Sequence, residues 1–162
     1  MMARVKIVDT EKCIGCELCE KVCEFINSKP RAKILQTGDG VLVPITCLHC
    51  TTPICVDVCP TGALHRDAEG PVRLRRNRCI GCKLCVAACP FGVPDVDQAR
   101  GLMTKCDLCS DRAKDDLAPA CAELCPTGAI LCGDYEEIVE ASRSRAVTLL
   151  TEKRVIQREK EG

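Results

Sequence analysis

The sequence predicts an α+β protein of two small modules, each organised around cysteine-bound centres, with a helical extension at the C-terminus. Three observations lead to this fold class. Seventeen of the 162 residues are cysteine, whereas the chain has one tyrosine, two phenylalanines and no tryptophan. Sixteen of the cysteines fall into four sets of four, and the segments around these sets repeat along the chain. Ordinary apolar residues are too few for a conventional core, so the cysteines must hold the chain together.

Each cysteine set begins with C-x2-C and ends with C-x3-C. The first and third sets read C-x2-C-x2-C-x3-C, while the middle gap widens to four residues in the second set and to eleven in the fourth. In three sets a proline follows the last cysteine, at positions 60, 90 and 126. The four sets are Cys13, Cys16, Cys19 and Cys23; Cys47, Cys50, Cys55 and Cys59; Cys79, Cys82, Cys85 and Cys89; and Cys106, Cys109, Cys121 and Cys125.

This spacing is the bacterial ferredoxin signature of a [4Fe–4S] cluster. Soft thiolates suit iron–sulfur clusters, and two-residue spacers let the backbone wrap a cluster with amide N–H groups directed at its sulfurs. The fourth cysteine of a set faces away and reaches a neighbouring cluster. Zinc also accepts C-x2-C pairs, and the start of the fourth set resembles half a zinc ribbon, but a tetrahedral ion needs no third cysteine so close. An odd cysteine count and the lack of an export signal disfavour disulfides.

The elements repeat as strand, cysteine loop, short helix and strand. We predict strands over 5–8, 32–35, 41–45, 63–66, 72–75 and 129–131, and helical turns over 17–22, 53–58, 83–88 and 119–124. The repeat is visible in the loops Cys13-Ile14-Gly15-Cys16 and Cys79-Ile80-Gly81-Cys82. It returns after Cys59 and Cys125, which are both followed by Pro-Thr-Gly-Ala.

The linker between the second and third sets suggests which sets pair. Nineteen residues separate Cys59 from Cys79, with a turn at 67–70 between two predicted strands. Two-cluster ferredoxins use a hairpin of about this length, so the second and third sets plausibly form one module and the first and fourth the other. Spacing alone leaves open the alternative of one with two and three with four.

The chain resembles the four-cluster iron–sulfur subunits of multi-subunit oxidoreductases. These include subunits of DMSO reductase, formate dehydrogenase, formate hydrogenlyase, carbon monoxide dehydrogenase and tungsten aldehyde oxidoreductase. The resemblance covers roughly residues 4–133 and rests on the order of the four sets and on Lys105-Cys106-Asp107-Leu108-Cys109. It implies a nested arrangement, with an outer ferredoxin-like module of 1–40 plus 99–133 and an inner one of 41–98. The composition after Gly133 adds an amphipathic helical tail of 134–162.

The resemblance also implies four ligand sets. Some relatives have tryptophan at the position of Cys82 and hold a [3Fe–4S] centre, so the cysteine here leads us to expect four [4Fe–4S] clusters. Glu24 departs from the pattern, because proline follows the last cysteine elsewhere. The implied sets, named by site, are Cys13, Cys16, Cys19 and Cys125 (site I); Cys23, Cys106, Cys109 and Cys121 (site II); Cys47, Cys50, Cys55 and Cys89 (site III); and Cys59, Cys79, Cys82 and Cys85 (site IV).

Several other residues have both a structural and a functional interpretation. Cys132 alternates with Ile130 and is expected to fill a strand face. His49, between two cysteines of the second set, is either a loop residue or a donor to a cluster sulfur. The basic residues before the third set either line a solvated strand edge or tune a cluster and receive an acidic partner; they are Arg73, Arg75, Arg76 and Arg78.

The tail after Gly133 lacks cysteine and predicts a helix. Asp134 and the acidic residues after it are typical of a helix N-terminus. The apolar positions that follow predict packing on the module, contact with a partner, or self-association into a wire of clusters. They are Ile138, Val139, Ala146, Leu149, Leu150, Val155 and Ile156.

No catalytic constellation is visible, and fully ligated clusters offer no open iron, so we expect an electron carrier rather than an enzyme. The resemblance implies a catalytic partner, with tungsten or molybdenum and acting on aldehydes or formate, and a second partner: a flavin subunit, a hydrogenase or a soluble carrier such as ferredoxin. A carbon monoxide dehydrogenase or hydrogenase partner stays open. A free-standing polyferredoxin is disfavoured, because free ferredoxins are acidic whereas this chain has 23 basic and 23 acidic residues.

Composition excludes two classes of partner. No run of 18 apolar residues is present, so we expect no membrane span, and without a signal sequence we expect a cytoplasmic location. Balanced charge and scarce aromatics argue against nucleic acid.

Overall fold

The computed structural model describes residues 5–68 and 70–161. Their strands form antiparallel pairs. The pairs are β1 (Val5–Val8) with β8 (Ile130–Gly133), β2 (Ala32–Gln36) with β3 (Leu42–Thr46), β4 (Leu64–Arg66) with β5 (Val72–Leu74), and β6 (Asp95–Asp97) with β7 (Leu102–Thr104). The helices are α1 (Leu18–Asn27), α2 (Ile54–Asp57), α3 (Leu84–Ala88), α4 (Ser110–Ala113), α5 (Ala120–Glu123) and α6 (Tyr135–Glu161).

The predicted α+β class is confirmed, and each predicted strand and helical turn is present with bounds shifted by a few residues. The sequence analysis missed β6, β7 and α4. The two strands are three residues each and lack a clear apolar alternation, so no strand period stands out. Helix α4 is a single turn inside the eleven-residue gap of the fourth set.

Strand pairing joins the two ends of the cysteine-rich region. In the β1–β8 pair Val5 lies opposite Gly133 and Val8 lies opposite Ile130. Helix α1 packs on α5 in the same part of the molecule. Ile130 is buried there against Cys19 and Cys121. One small core therefore contains residues from the first and fourth cysteine sets.

A second small core forms around the β4–β5 hairpin. It contains the buried residues Leu64, Val72, Cys85 and Met103. Met103 comes from β7, so the β6–β7 hairpin straddles the expected module boundary at residue 98 and packs on the inner segment. Both cores include cysteine side chains, which agrees with an apolar content too low for a conventional interior.

The tail helix α6 begins directly after Asp134, as predicted. The Asp134 Oδ1 accepts a hydrogen bond from the Glu137 N–H at 2.9 Å, and the Glu137 carboxylate accepts one from the Asp134 N–H at 3.1 Å. This reciprocal arrangement is a capping box. Ile138 is buried, whereas Val147 and Leu150 are exposed. The side chains of Leu149, Val155 and Ile156, which were part of the predicted apolar face, lie outside the described residues.

An ion pair fixes the helix against the outer segment. The Arg145 guanidinium lies 3.0 Å from an oxygen of Asp9 and 2.6 Å from an oxygen of Glu11. The first half of α6 thus packs back on the cysteine-bearing segments. In the described part of the chain, no helix has the length and apolar character needed to cross a membrane.

Candidate functional site

Two cavities are each lined by four cysteines. With the open space at its mouth included, the larger spans about 410 Å³ and the smaller about 320 Å³. Cys16 and Cys82, one in each lining, are exposed at the surface. The larger cavity is lined by Cys59, Cys79, Cys82 and Cys85, and the smaller by Cys13, Cys16, Cys19 and Cys125. These groups coincide with sites IV and I.

The electrostatic influence of neighbouring thiols on one another indicates two further groups of cysteines. Burial raises the pKa of Cys55 to about 11; Lys105 opposes this shift, and three neighbouring thiols add to it. Those three neighbours are Cys47, Cys89 and Cys50. The structure therefore brings together four thiols that coincide with site III.

The remaining group is the most deeply buried. Burial raises the pKa of Cys121, Lys6 opposes the shift, and the thiols of Cys106 and Cys23 add to it. Burial likewise raises the pKa of Cys109, with contributions from Cys106 and Cys121. Cys23, Cys106 and Cys121 are buried and Cys109 is half-buried. These four thiols coincide with site II.

The first and third cysteine loops share the same left-handed backbone conformations. In the first loop Gly15 and Glu17 have φ values of +68° and +58°, and in the third loop Gly81 and Lys83 have +69° and +63°. Left-handed residues are rare outside turns, and two in three positions wind the backbone tightly around one point. The near-identical angles show that the sequence repeat is also a structural repeat.

Backbone and hydroxyl donors surround the last cysteine of two sets. Burial raises the pKa of Cys59, but the N–H groups of Leu64, Thr61 and Ala63 and the Thr61 hydroxyl outweigh it, so the pKa is lowered. The same pattern recurs at Cys125, whose donors are the N–H groups of Ile130, Thr127 and Ala129 and the Thr127 hydroxyl. The sulfur lies 3.8 Å from the threonine hydroxyl in both places. The repeat Pro-Thr-Gly-Ala therefore builds a thiolate-stabilising turn twice.

His49 provides a direct test of whether these sites suit a sulfur-rich cofactor. Its Nδ1 accepts a hydrogen bond from the Val72 N–H at 3.0 Å, which leaves the ring proton on Nε2. That Nε2 is buried and has no protein partner among the described residues. Burial lowers the pKa of His49 to about 2, with Lys105, Lys6 and Arg73 contributing, so the ring is neutral. An orphaned buried donor between Cys47 and Cys50 fits a site whose other acceptors are the sulfurs of a bound cluster.

Two buried lysines were not singled out by sequence analysis. Lys6 and Lys105 are 3% and 5% exposed. The Lys6 Nζ donates to Thr46 Oγ1 at 2.9 Å and to Cys121 Sγ at 3.3 Å. Burial alone lowers the pKa of Lys6, but the thiols of Cys106 and Cys121, with that of Cys132, reverse this and raise it. The alternation of Val5-Lys6-Ile7 on a predicted strand suggests a solvent-facing lysine, and only the tertiary packing places it inside.

The other residues considered from sequence have clearer surroundings. Arg73 pairs with Asp67 at 2.6 Å and donates to the Asp107 carbonyl at 3.0 Å, so it is a structural contact between segments. Arg75, Arg76 and Arg78 are exposed beside site IV. Cys132 is half-buried on β8; its expected role as a filler stays a prediction.

The thiols are not arranged for a single ion. None of the seventeen cysteines forms a disulfide. Among the described residues, no group of three His, Cys, Asp or Glu side chains converges closely enough to hold one metal ion. A four-iron cluster separates its four thiolates by the width of the cluster, and the cysteines of sites I and IV line cavities rather than converge on a point.

Comparison with known proteins identifies the cofactor. Residues 38–135 match a family model described as a 4Fe-4S dicluster domain, and residues 12–63 match a second model with the same description. All sixteen cysteines of the four sets lie within these matches. Two dicluster domains correspond to four [4Fe–4S] clusters, which confirms the predicted cofactor.

The similar proteins include named electron-transfer subunits. The chain is 37% identical to the thiosulfate reductase electron transfer subunit PhsB of Salmonella typhi, over 82% of this chain and 77% of that protein. It is 35% identical to a subunit of the anaerobic dimethyl sulfoxide reductase of Escherichia coli, over 81% of this chain and 73% of that protein. The electron transport protein HydN of Escherichia coli is 34% identical, over 89% of this chain and 95% of that protein.

Proposed function

Because the protein belongs to the 4Fe-4S dicluster family of iron–sulfur electron-transfer proteins, we propose that it relays electrons between the catalytic subunit of an oxidoreductase complex and a second redox partner. The single observation that carries this proposal is that two cavities, each with one exposed cysteine, are each lined by the four cysteines of one predicted ligand set. The relatives are named as electron-transfer subunits or reductase chains, so the expectation that this chain is not itself the catalytic subunit is confirmed.

We propose that sites I to IV are the ligand sets, in two nested modules. The cavity linings support sites I and IV, and the mutual electrostatic influence of the thiols supports sites II and III. Pairing of β1 with β8 supports an outer module built from both ends of the cysteine-rich region. When bound there, the four clusters supply one-electron redox chemistry. The protein holds them through thiolates, and the donors at Cys59 and Cys125 stabilise the anionic sulfurs.

The influence of thiols in one site on thiols in the next supports a proposed order of the sites. The thiol of Cys121 in site II raises the pKa of Cys19 in site I, after burial, the main cause. The thiol of Cys106 in site II likewise contributes to the raised pKa of Cys47 in site III, whose main cause is burial. Sites III and IV meet through the packing of α2 on α3. We therefore propose a linear order I, II, III, IV, with electrons entering and leaving at the two exposed ends.

The catalytic partner that we propose is an oxidoreductase subunit with tungsten or molybdenum. The relatives named as parts of thiosulfate and dimethyl sulfoxide reductases support a fixed complex of this kind. The preference for an aldehyde or formate enzyme, the identity of the second partner and the cytoplasmic location stay predictions from sequence. Self-association through 134–162 is also a prediction, and the exposed Val147 and Leu150 on α6 give such a contact an apolar surface.

A free-standing carrier is the second candidate, favoured by one observation. HydN is matched over 95% of its own length and is named an electron transport protein, with no enzyme in its name. A relative of similar length therefore has a name that assigns it to no reductase complex.

Anaerobic purification of the full chain from its native host separates the two candidates. The subunit proposal predicts a stoichiometric complex in which the clusters of this chain are oxidised or reduced when the substrate of the co-purified catalytic subunit is added. A monomer that carries about sixteen iron atoms and exchanges electrons only by collision would establish the free carrier instead. Iron well below that value in the wild-type chain would contradict both.

A further inference from the structure

We propose that the buried ammonium groups of Lys6 and Lys105 are built-in counter-charges for sites II and III, which keep these buried sites reducible. The inference rests on the proposed ligand sets. It assigns a role to two residues that hold no cluster themselves.

Lys6 lies against site II. Its side chain, on β1, is 3% exposed, and its Nζ lies 3.3 Å from Cys121 Sγ and 2.9 Å from Thr46 Oγ1. Thr46 is the residue directly before Cys47 of site III. The ammonium group is thus within hydrogen-bond distance of one ligand sulfur and one residue away from the next site.

Lys105 lies between the same two sites. It is 5% exposed, and its Nζ donates to the carbonyl oxygens of Val72 and Cys106, both at 2.6 Å. These partners are neutral, so they satisfy its hydrogen bonds without cancelling its charge. Val72 in turn donates its N–H to His49 Nδ1 at 3.0 Å, and His49 lies between Cys47 and Cys50 of site III.

Neither lysine has a carboxylate partner in the part of the chain that the structure describes. The ion pairs formed there by Lys29, Lys33 and Lys114 all lie at the surface. Buried charges are normally paired, since an isolated one carries a large desolvation penalty. The anionic thiolate sites are the negative charges that surround Lys6 and Lys105. The lysines and the sites therefore neutralise one another.

We therefore expect the two lysines to affect the reduction of sites II and III as well as the assembly of the clusters. Reduction adds one negative charge to a site without forming or breaking a bond. In a buried site that extra charge is poorly solvated, which opposes reduction. A fixed positive charge within a few ångströms offsets this penalty, and burial shields it from salt. Sites II and III form the junction between the modules, so an electron must pass this place on its way between the exposed ends.

The test measures reduction midpoints in the full chain with its clusters bound. Stepwise reduction with dithionite is followed by electron paramagnetic resonance, and a soluble dysprosium complex identifies the exposed sites by faster relaxation of their signals. In Lys6→Met we expect the equilibrium constant for reduction of site II to fall at least about tenfold, a shift of about 59 mV to more negative potential. In Lys105→Met we expect a comparable shift at site III. Lys33→Met, which removes an exposed lysine paired with Asp95 at 2.7 Å, is the matched control and should shift neither.

A methionine variant could lose a cluster because it lacks the charge or because it packs differently. Lys6→Arg and Lys105→Arg keep the charge and separate these two causes. Retention of all four clusters with nearly unchanged midpoints in the arginine variants supports the counter-charge role. Loss of clusters in both kinds of variant assigns the lysines a packing role and overturns the inference, as do unchanged midpoints in the methionine variants. Failure of the proposed function looks different, because the wild-type chain itself would then carry far fewer than about sixteen iron atoms.

Discussion

The loops of residues 12–19 and 78–85 are two copies of one structure with opposite charge. Both read basic residue, Cys-Ile-Gly-Cys, charged residue, Leu-Cys. Ile14 and Ile80 are each 66% exposed, and the φ angles of the two loops differ by a few degrees. The charged residue that follows the second cysteine is Glu17 in one loop and Lys83 in the other, both in the left-handed conformation.

The surroundings extend this difference. Residues 11–24 include four glutamates and two lysines, whereas residues 75–90 include four basic residues and no acidic one. The same scaffold thus presents an acidic surface at site I and a basic surface at site IV. Because charge complementarity steers association, the comparison indicates that the two exposed ends receive different partners.

The two loops also differ in what lies behind them, which gives the largest expected effect. A methyl group on Gly15 would meet the flexible Leu42 side chain, whereas one on Gly81 would meet the rigid Gly101 backbone oxygen. Alanine at either position carries the cost of a left-handed backbone, about 1–2 kcal/mol. We expect Gly15→Ala to cost about that much, and Gly81→Ala to cost more than about 3 kcal/mol because backbone must move.

The measurement is thermal unfolding of the protein with its clusters bound, followed by the loss of their visible absorbance. Gly92→Ala is a suitable control, because its φ is +59° and no atom lies within 4 Å of the added methyl group. Equal destabilisation by Gly15→Ala and Gly81→Ala would show that the packing behind the loops is equivalent after all.

Exchanging the charges should alter which partner each end accepts. Lys83→Glu is expected to slow electron transfer from an acidic soluble ferredoxin about tenfold at low ionic strength, since steering of this kind changes association rates by about 10-fold or more. Glu17→Lys should leave that rate unchanged or raise it. Stopped-flow mixing at low and high salt gives both rates. A larger loss with Glu17→Lys would mean that acidic carriers dock at site I.

The smallest expected effect comes from a feature that sites I and IV share, a threonine hydroxyl near one ligand sulfur. Thr61→Val and Thr127→Val each remove one hydroxyl near a sulfur at 3.8 Å and keep the shape of the side chain. A weak hydrogen bond to sulfur contributes about 0.5–1 kcal/mol, so each change should make its site a few-fold harder to reduce. Redox titration of the two variants should give similar shifts at sites IV and I. A shift in only one would show that the repeated turns have diverged.

The comparison also shows what the sequence could predict. Repeated motifs such as Cys-Ile-Gly-Cys and Pro-Thr-Gly-Ala determine local backbone, and the strands beside them were predicted within a few residues. The cysteine spacing predicts the cofactor because thiolate chemistry needs those residue types at that separation. Spacing alone did not decide between the nested pairing and the alternative, and the nested pairing stays a proposal.

The buried lysines and the β6–β7 hairpin show why the rest could not be predicted. Lys6 occupies a strand position that a period-two pattern assigns to solvent, yet packing of β1 on the fourth cysteine set buries it. Met103 lies beyond the expected boundary of the inner module and still completes its core. Both depend on contacts between segments far apart in sequence, and the clusters that join such segments should make folding and metal binding interdependent.

The central claim is that each cluster takes its fourth ligand from a distant set, so that site I combines Cys13, Cys16 and Cys19 with Cys125. The most direct test compares the electron paramagnetic resonance spectra of reduced Cys16→Ser and Cys125→Ser with that of the wild type. The account predicts that both variants change the same signal, and that Cys82→Ser changes a different one. If Cys125→Ser instead altered the signal changed by Cys82→Ser, the third and fourth sets would share a module and the nested arrangement would be wrong.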